Sequence, residues 1–163
     1  MDGILGRDAD SLVVPPARNE LLDDMSFLLA RANALSLSAG NAALSAHGLR
    51  VRSYSVLALA AGTARPSQRE LAELLRLDPS QVVALVDDLQ SRGLVVREPD
   101  PSDRRANVVV ATEQGRALHE RASASARAAE RELHDDLSAA ERRALADLLR
   151  RLAFPRRASA VGA

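Results

Sequence analysis

Hydrophobic spacing along this chain alternates between two periods, and each change of period marks a boundary. From Asn19 to about Ala46, Leu21, Met25, Leu28, Ala32 and Leu35 recur at four- and three-residue steps, the stripe of a long amphipathic helix. Val51 to Ala61 reads as a shorter, more fully apolar helix. Ser67 begins the next one, because its hydroxyl can cap a free backbone N–H while Glu70, three residues on, reaches back to the cap residue. Leu71, Ala72, Leu74 and Leu75 form its apolar stripe, which breaks at Leu77-Asp78-Pro79. Asp78 then reads as a new cap with Pro79 at the first helical position, where a missing N–H costs nothing, and Gln81 at the third. Two caps this close define a helix-turn-helix.

The second helix of the pair carries Val82, Leu85, Val86 and Leu89 at i, i+3, i+4, i+7 spacing, and Gly93 supplies a left-handed residue to end it. Beyond Gly93 the period falls to that of strands. Leu94-Val95-Val96-Arg97 and Asn107-Val108-Val109-Val110-Ala111 are β-branched runs flanking the turn-rich Asp100-Pro-Ser-Asp-Arg-Arg105, so they read as a hairpin with a basic tip. The helical period then returns. Thr112 starts a long helix in which Leu118, Ala122, Ala126, Ala129 and Leu133 share a face, and Ser138-x-x-Glu141 caps a last helix bearing Leu145, Leu148, Leu149 and Leu152. The expected fold is mainly α with a small β-hairpin wing: a winged helix-turn-helix domain joined to long helices whose apolar surface calls for a partner, most simply a second copy.

Several residues carry a resemblance to a known family. Leu89-x-x-Arg92-Gly93-Leu94-Val95-x-Arg97, Asp100-Pro-x-Asp103-Arg104-Arg105 and Thr112-Glu113-x-Gly115-Arg116 closely resemble the multiple-antibiotic-resistance regulators, the MarR family of dimeric winged-helix transcription factors. The likeness extends from about Asn19 to Phe154. It implies that the helix from Asp78 to Ser91 enters a major groove and that the loop from Asp100 to Arg105 reaches the adjacent minor groove. Carried over by position, Ser67 and Gln68 would approach the DNA, Ser80, Gln81, Val83 and Ala84 would face the bases, and Asp103, Arg104 and Arg105 would form the wing tip. The same resemblance implies that the first, fifth and sixth helices form a homodimer and that a small organic effector sits in a cleft, with Arg31, Arg50, Arg52 and Tyr54 as lining residues. The division expected is an arm over residues 1–18, a dimerisation helix over 19–49, the winged domain over 50–112, C-terminal dimerisation helices over 113–154 and a tail over 155–163.

Charge modifies this picture. Many relatives carry Thr and Arg where Val83 and Ala84 stand, and Arg where Asp88 stands, so this reading helix is short of cations. From Arg65 to Thr112 the acids slightly outnumber the arginines, and the whole chain balances 22 basic against 22 acidic residues, so phosphate contact must come from a few placed arginines and from helix N-termini. Readout would then rest on Gln81, on apolar contact of Val83 and Ala84 with thymine methyls, and on groove shape sensed by the wing.

Other classes recede for chemical reasons. There is no cysteine, which removes disulfides and thiolate metal sites, and His47, His119 and His134 are too dispersed for ligand spacing, so no metal or cofactor is expected. No nucleophile–base pair or phosphate-cradling glycine loop points to an enzyme. The apolar runs are broken by Arg, Asp or Ser well before membrane length, so residence in the cytoplasm away from any membrane is expected. The expected partners are double-stranded DNA, a second copy and a small organic effector. The competing reading is a winged-helix protein-interaction module without strong DNA affinity, motivated by Asp87-Asp88 and by the neutral charge.

Overall fold

The computed structural model describes residues 19–100 and 106–155, and the chain divides into two compact units, residues 1–35 and 36–163. The helical stripe expected from Asn19 is interrupted once. Asn19 caps a 3-10 turn over Glu20–Asp23, its side chain accepting from Leu21 N at 3.0 Å. Asp24 then adopts an extended backbone and its carboxylate accepts from Phe27 N at 2.8 Å, so a second cap restarts the chain as helix α1, Met25–Ser45. In the first unit Leu21, Met25, Leu28, Leu29 and Leu35 are all exposed.

The second unit holds the end of α1, then α2 (Val51–Ala61), α3 (Gln68–Leu75), α4 (Pro79–Ser91), strands β1 (Val95–Pro99) and β2 (Asn107–Ala111), α5 (Glu113–Leu133) and α6 (Ala139–Ala153). Asn41 on α1 accepts from Val51 N at 2.9 Å and Ser53 Oγ from Arg50 N at 3.0 Å, so borrowed side chains satisfy the free donors at the start of α2. Leu57, Leu71, Val82, Val86, Leu89, Val95 and Val109 are completely buried in one core beneath the helix pair and the hairpin. Each contributes about 1.5–3 kcal/mol by leaving water.

Both capping boxes expected in the helix pair form. Ser67 Oγ accepts from Glu70 N while Glu70 takes Ser67 N at 2.8 Å, and Asp78 accepts from Ser80 N at 2.8 Å while Gln81 Oε1 takes Asp78 N at 3.3 Å. The turn between α3 and α4 contains Arg76 at φ +53°, a left-handed conformation that closes α3 through Leu77 N to Ala72 O at 3.1 Å. α4 ends on Gly93 at φ +69°, with Gly93 N bonded to Gln90 O and Leu94 N to Leu89 O, both at 2.9 Å, the paired closure that a left-handed glycine allows.

The strands pair antiparallel with Val95 opposite Ala111 and Pro99 opposite Asn107. β1 starts one residue later and runs two residues further than the apolar run Leu94–Arg97 indicates, because pairing with β2 carries it through Glu98 and Pro99. The other side of β2 is also used: Val109 N donates to Pro66 O at 2.8 Å, and Ser67 bridges Val108. A single bridged pair leaves no periodic trace in sequence, so this third partner was illegible there.

Thr112 joins hairpin to helix. Its hydroxyl donates to Gly93 O at 2.7 Å and accepts from Gly115 N at 3.0 Å, so one side chain ties the end of α4 to the start of α5. Gly115 has its own reason: a Cβ there would lie 1.9 Å from the Leu94 carbonyl oxygen. The Thr-Glu-x-Gly pattern is therefore a cap followed by a close backbone crossing.

Candidate nucleic-acid interface

α4 buries Val82, Val86 and Leu89 and turns Ser80, Gln81, Val83, Ala84, Asp87 and Gln90 outward. Val83 is 42% exposed, although an apolar side chain of its size would gain by burial in an isolated domain. Ser80 and Gln81 are engaged in the cap, Ser80 Oγ donating to Asp78 at 2.6 Å and the Gln81 carbonyl oxygen accepting from Asp78 N. The Gln81 amide NH2 still faces outward as a donor group. On α3, Ser67 is the cap, and Gln68 Oε1 accepts from Arg97 Nε. Asp103, Arg104 and Arg105 lie outside the described residues. The base of their loop closes through Asp100 N to Ala106 O at 2.9 Å.

The acidic pair Asp87-Asp88 is not left bare. Arg97, on β1, extends across to the helix pair: Nε donates to Gln68 at 2.7 Å, Nη1 to Gln90 at 2.9 Å and Nη2 to Asp87 at 2.5 Å. Arg92 pairs with Asp88 at 3.2 Å one helical turn away. Below the wing, Arg65 Nη2 meets Glu98 at 2.6 Å. Composition alone missed the Arg97 bonds, because strand β1 and helix α4 meet only in the tertiary structure, whereas Arg92 four residues after Asp88 was a local signal. The signal available for Arg97 was Asp87 and Gln90 three residues apart on α4, a spacing that lets one guanidinium bond both.

Hydrogen bonds to the capping carboxylates also set their charge. Bonds from the Ser67 backbone and hydroxyl hold Glu70 below the usual carboxylate range, and bonds from the Ser80 hydroxyl and backbone do the same for Asp78. The N-termini of α3 and α4 thus carry fixed negative side chains opposite the helix dipoles.

Three of the four residues expected around an effector separate into two hollows of the second unit. Arg50 and Arg52 border a groove of about 610 Å³ with Asn41, Leu85, Asp88 and Arg92. Tyr54 lines a smaller hollow of about 230 Å³ with Gly40, Leu44, Ala126 and His134. Its ring stacks on His119 at 5.7 Å between centroids and 22° between planes. His47 bonds Ser125 at 2.9 Å. Arg31 is exposed on α1 in the first unit. Among the described residues no three His, Asp or Glu are grouped to hold a metal ion, and no helix is long and apolar enough to cross a membrane.

Comparison with known proteins gives this geometry a family. The MarR family pattern matches residues 47–106. A crystal structure of a MarR-family transcriptional regulator from Rhodococcus sp. RHA1 is 46% identical and superposes with a TM-score of 0.79, over 83% of this chain and 96% of that one. CouR from Rhodococcus jostii RHA1, solved bound to p-coumaroyl-CoA, is 43% identical with a TM-score of 0.75, over 83% and 95%. The transcriptional repressor Rv2887 of Mycobacterium tuberculosis is 31% identical over 134 residues, 81% of this chain and 96% of that protein. Structures of Rv2887 with DNA and with salicylic acid are 28% and 29% identical to this chain, with TM-scores of 0.65 and 0.67, covering 79% of it and 97% and 96% of those chains. Against other curated regulators the matched stretch is shorter, spanning 60%, 54% and 52% of their lengths. The relatives are transcriptional regulators rather than enzymes. With its capped helix pair, its hairpin and its Thr-Glu-x-Gly crossing, the chain belongs to the MarR family.

Proposed function

We propose that this chain is an effector-responsive transcriptional repressor that binds a pseudo-palindromic operator as a homodimer in the cytoplasm. The observation that carries this reading is α4: Val82, Val86 and Leu89 on one face are completely buried, and the other face presents Ser80, Gln81, Val83 and Ala84 free of tertiary cover at the edge of the winged domain. Two such helices about one DNA turn, ~34 Å, apart occupy successive major grooves. Ser67 and Gln68 at the start of α3 approach phosphate, and Asp103, Arg104 and Arg105 at the wing tip reach the minor groove. The dimer is formed by residues 19–49 and 113–154, which carry the exposed stripes of α1 and α6.

The effector is a small organic acid or its thioester, the chemistry of the ligands found in CouR and Rv2887. Arg50 and Arg52 suit its anionic end and the Tyr54 hollow its apolar body. A ligand that prefers the spacing unable to span two grooves shifts the dimer off its operator.

Selection of bound fragments from a random DNA pool tests the reading. The expected product is an inverted repeat with half-sites one turn apart, bound with a steep salt dependence. Replacing Arg104 and Arg105 with alanine weakens binding by more than ~1 kcal/mol, and Gln81→Ala flattens preference at one symmetric pair of positions by roughly 1–3 kcal/mol. A dimer that retains no fragment at low salt supports the interaction-module reading instead.

A further inference from the structure

α4 contains two acids and no base, an unfavourable composition for a helix that must lie among phosphates. Asp87 lies on the same helical face as Val83 and Ala84, one turn further along. On the DNA-reading role given above, we infer that Arg97 is a positioning residue for operator binding: its guanidinium cancels Asp87, so that the reading face of α4 meets DNA without a bare carboxylate. The geometry is specific. The three nitrogens of one guanidinium each bond a different residue, Gln68 on α3 and Asp87 and Gln90 on α4, while the side chain itself is rooted in β1 beside the wing. Its side chain is 24% exposed against 88% for Arg69 in the outlying pair Arg69–Glu73, while the two carboxylates are both exposed, so the difference in screening comes from the arginine end.

The neighbouring charges have been assigned elsewhere. Asp88 is held by Arg92, Glu98 by Arg65 and Glu73 by Arg69. Losing Arg97 therefore leaves Asp87, on the reading face, without a paired cation among the described residues. It also exposes the side-chain oxygens of Gln68 and Gln90 without their donor.

Charge compensation and simple bracing make opposite forecasts for a charge-matched pair. Operator binding is measured by titration of the selected fragment at several salt concentrations for the full chain, R97Q, R97K, D87N and D87N/R97Q, with melting temperatures alongside. R97Q is expected to bind roughly tenfold more weakly, since like charge is then turned toward phosphate. D87N/R97Q should recover to within about threefold of the original protein, and R97K, which keeps the charge but not the fork, should stay in that range. If D87N/R97Q binds as poorly as R97Q, or if R97Q binds as tightly as the original, compensation of Asp87 is overturned. If R97Q does not fold, R97K and D87N/R97Q carry the test: weak binding by both overturns it. Failure of the unaltered protein to select any DNA sinks the operator reading and this inference together. Selection of an inverted repeat followed by failure of the rescue sinks only this inference.

Discussion

Helices α4 and α6 carry the same apolar spacing and meet opposite fates. Val82, Leu85, Val86 and Leu89 on α4 recur at i, i+3, i+4, i+7, and so do Leu145, Leu148, Leu149 and Leu152 on α6. The α4 stripe is 0% exposed at Val82, Val86 and Leu89, whereas Leu148 and Leu152 on α6 are 54% and 59% exposed. α4 is covered because α2, α3 and the hairpin close over it within one chain. Among the described residues of the second unit nothing covers α6 in the same way, and the longer leucine side chains there stand to gain more from burial than the valines of α4. An amphipathic stripe specifies that a face will be buried and leaves open which surface buries it.

The sharpest way to separate the two helices is to charge the α6 stripe. Leu148→Asp with Leu149→Asp should abolish association of two copies while leaving the winged domain folded, read as a monomer in sedimentation with near-native circular dichroism and lost operator binding. Original protein that sediments as a folded monomer would overturn the dimer. Truncation comes next in size: Leu89→Ala should cost about 2–5 kcal/mol in denaturant unfolding at any protein concentration, whereas Leu149→Ala should cost an amount that grows with the fraction of dimer. Equal, concentration-independent costs would erase the contrast.

Gly115→Ala tests the crossing that fixes α5 against the hairpin. The added Cβ must move the Leu94 carbonyl, at about 1–3 kcal/mol measured by thermal unfolding. No loss of stability would mean the crossing is loose.

The smallest effect is at the caps. Ser67→Ala should lower stability by ~1 kcal/mol at neutral pH, since the Glu70 N–H loses its acceptor and the Glu70 carboxylate loses a donor. Glu70, Asp78 and Glu141 are all held below their ordinary values by serine hydrogen bonds, so the stability they give is complete above those values, 4.5 for Glu and 3.8 for Asp. It is lost as pH falls through the lower folded values. The Ser67→Ala and Ser138→Ala deficits should therefore shrink in acid, and a deficit constant from neutral to strongly acid pH would assign the caps no electrostatic part.

What could be read from the sequence was everything governed by short range. Ser67/Glu70, Asp78/Gln81 and Ser138/Glu141 are reciprocal bonds across three residues, and all three boxes form where the residue types place them. Gly93 terminates α4 for a local reason, and the β-branched runs pair as a hairpin. One local signal was underread: Asp24, a cap of the ordinary kind, divides the first helical stripe from the turn at Glu20–Asp23. The remainder was decided by residues distant in sequence. Only folding brings Arg97 against Gln68, Asp87 and Gln90, Pro66 against Val109, and the Gly115 backbone against Leu94. Composition could count the acids of α4, but their net effect depends on where a guanidinium from another element comes to rest. Periodicity measures which side of an element is apolar. Burial and charge compensation are set by what packs against that side, which the tertiary structure alone supplies.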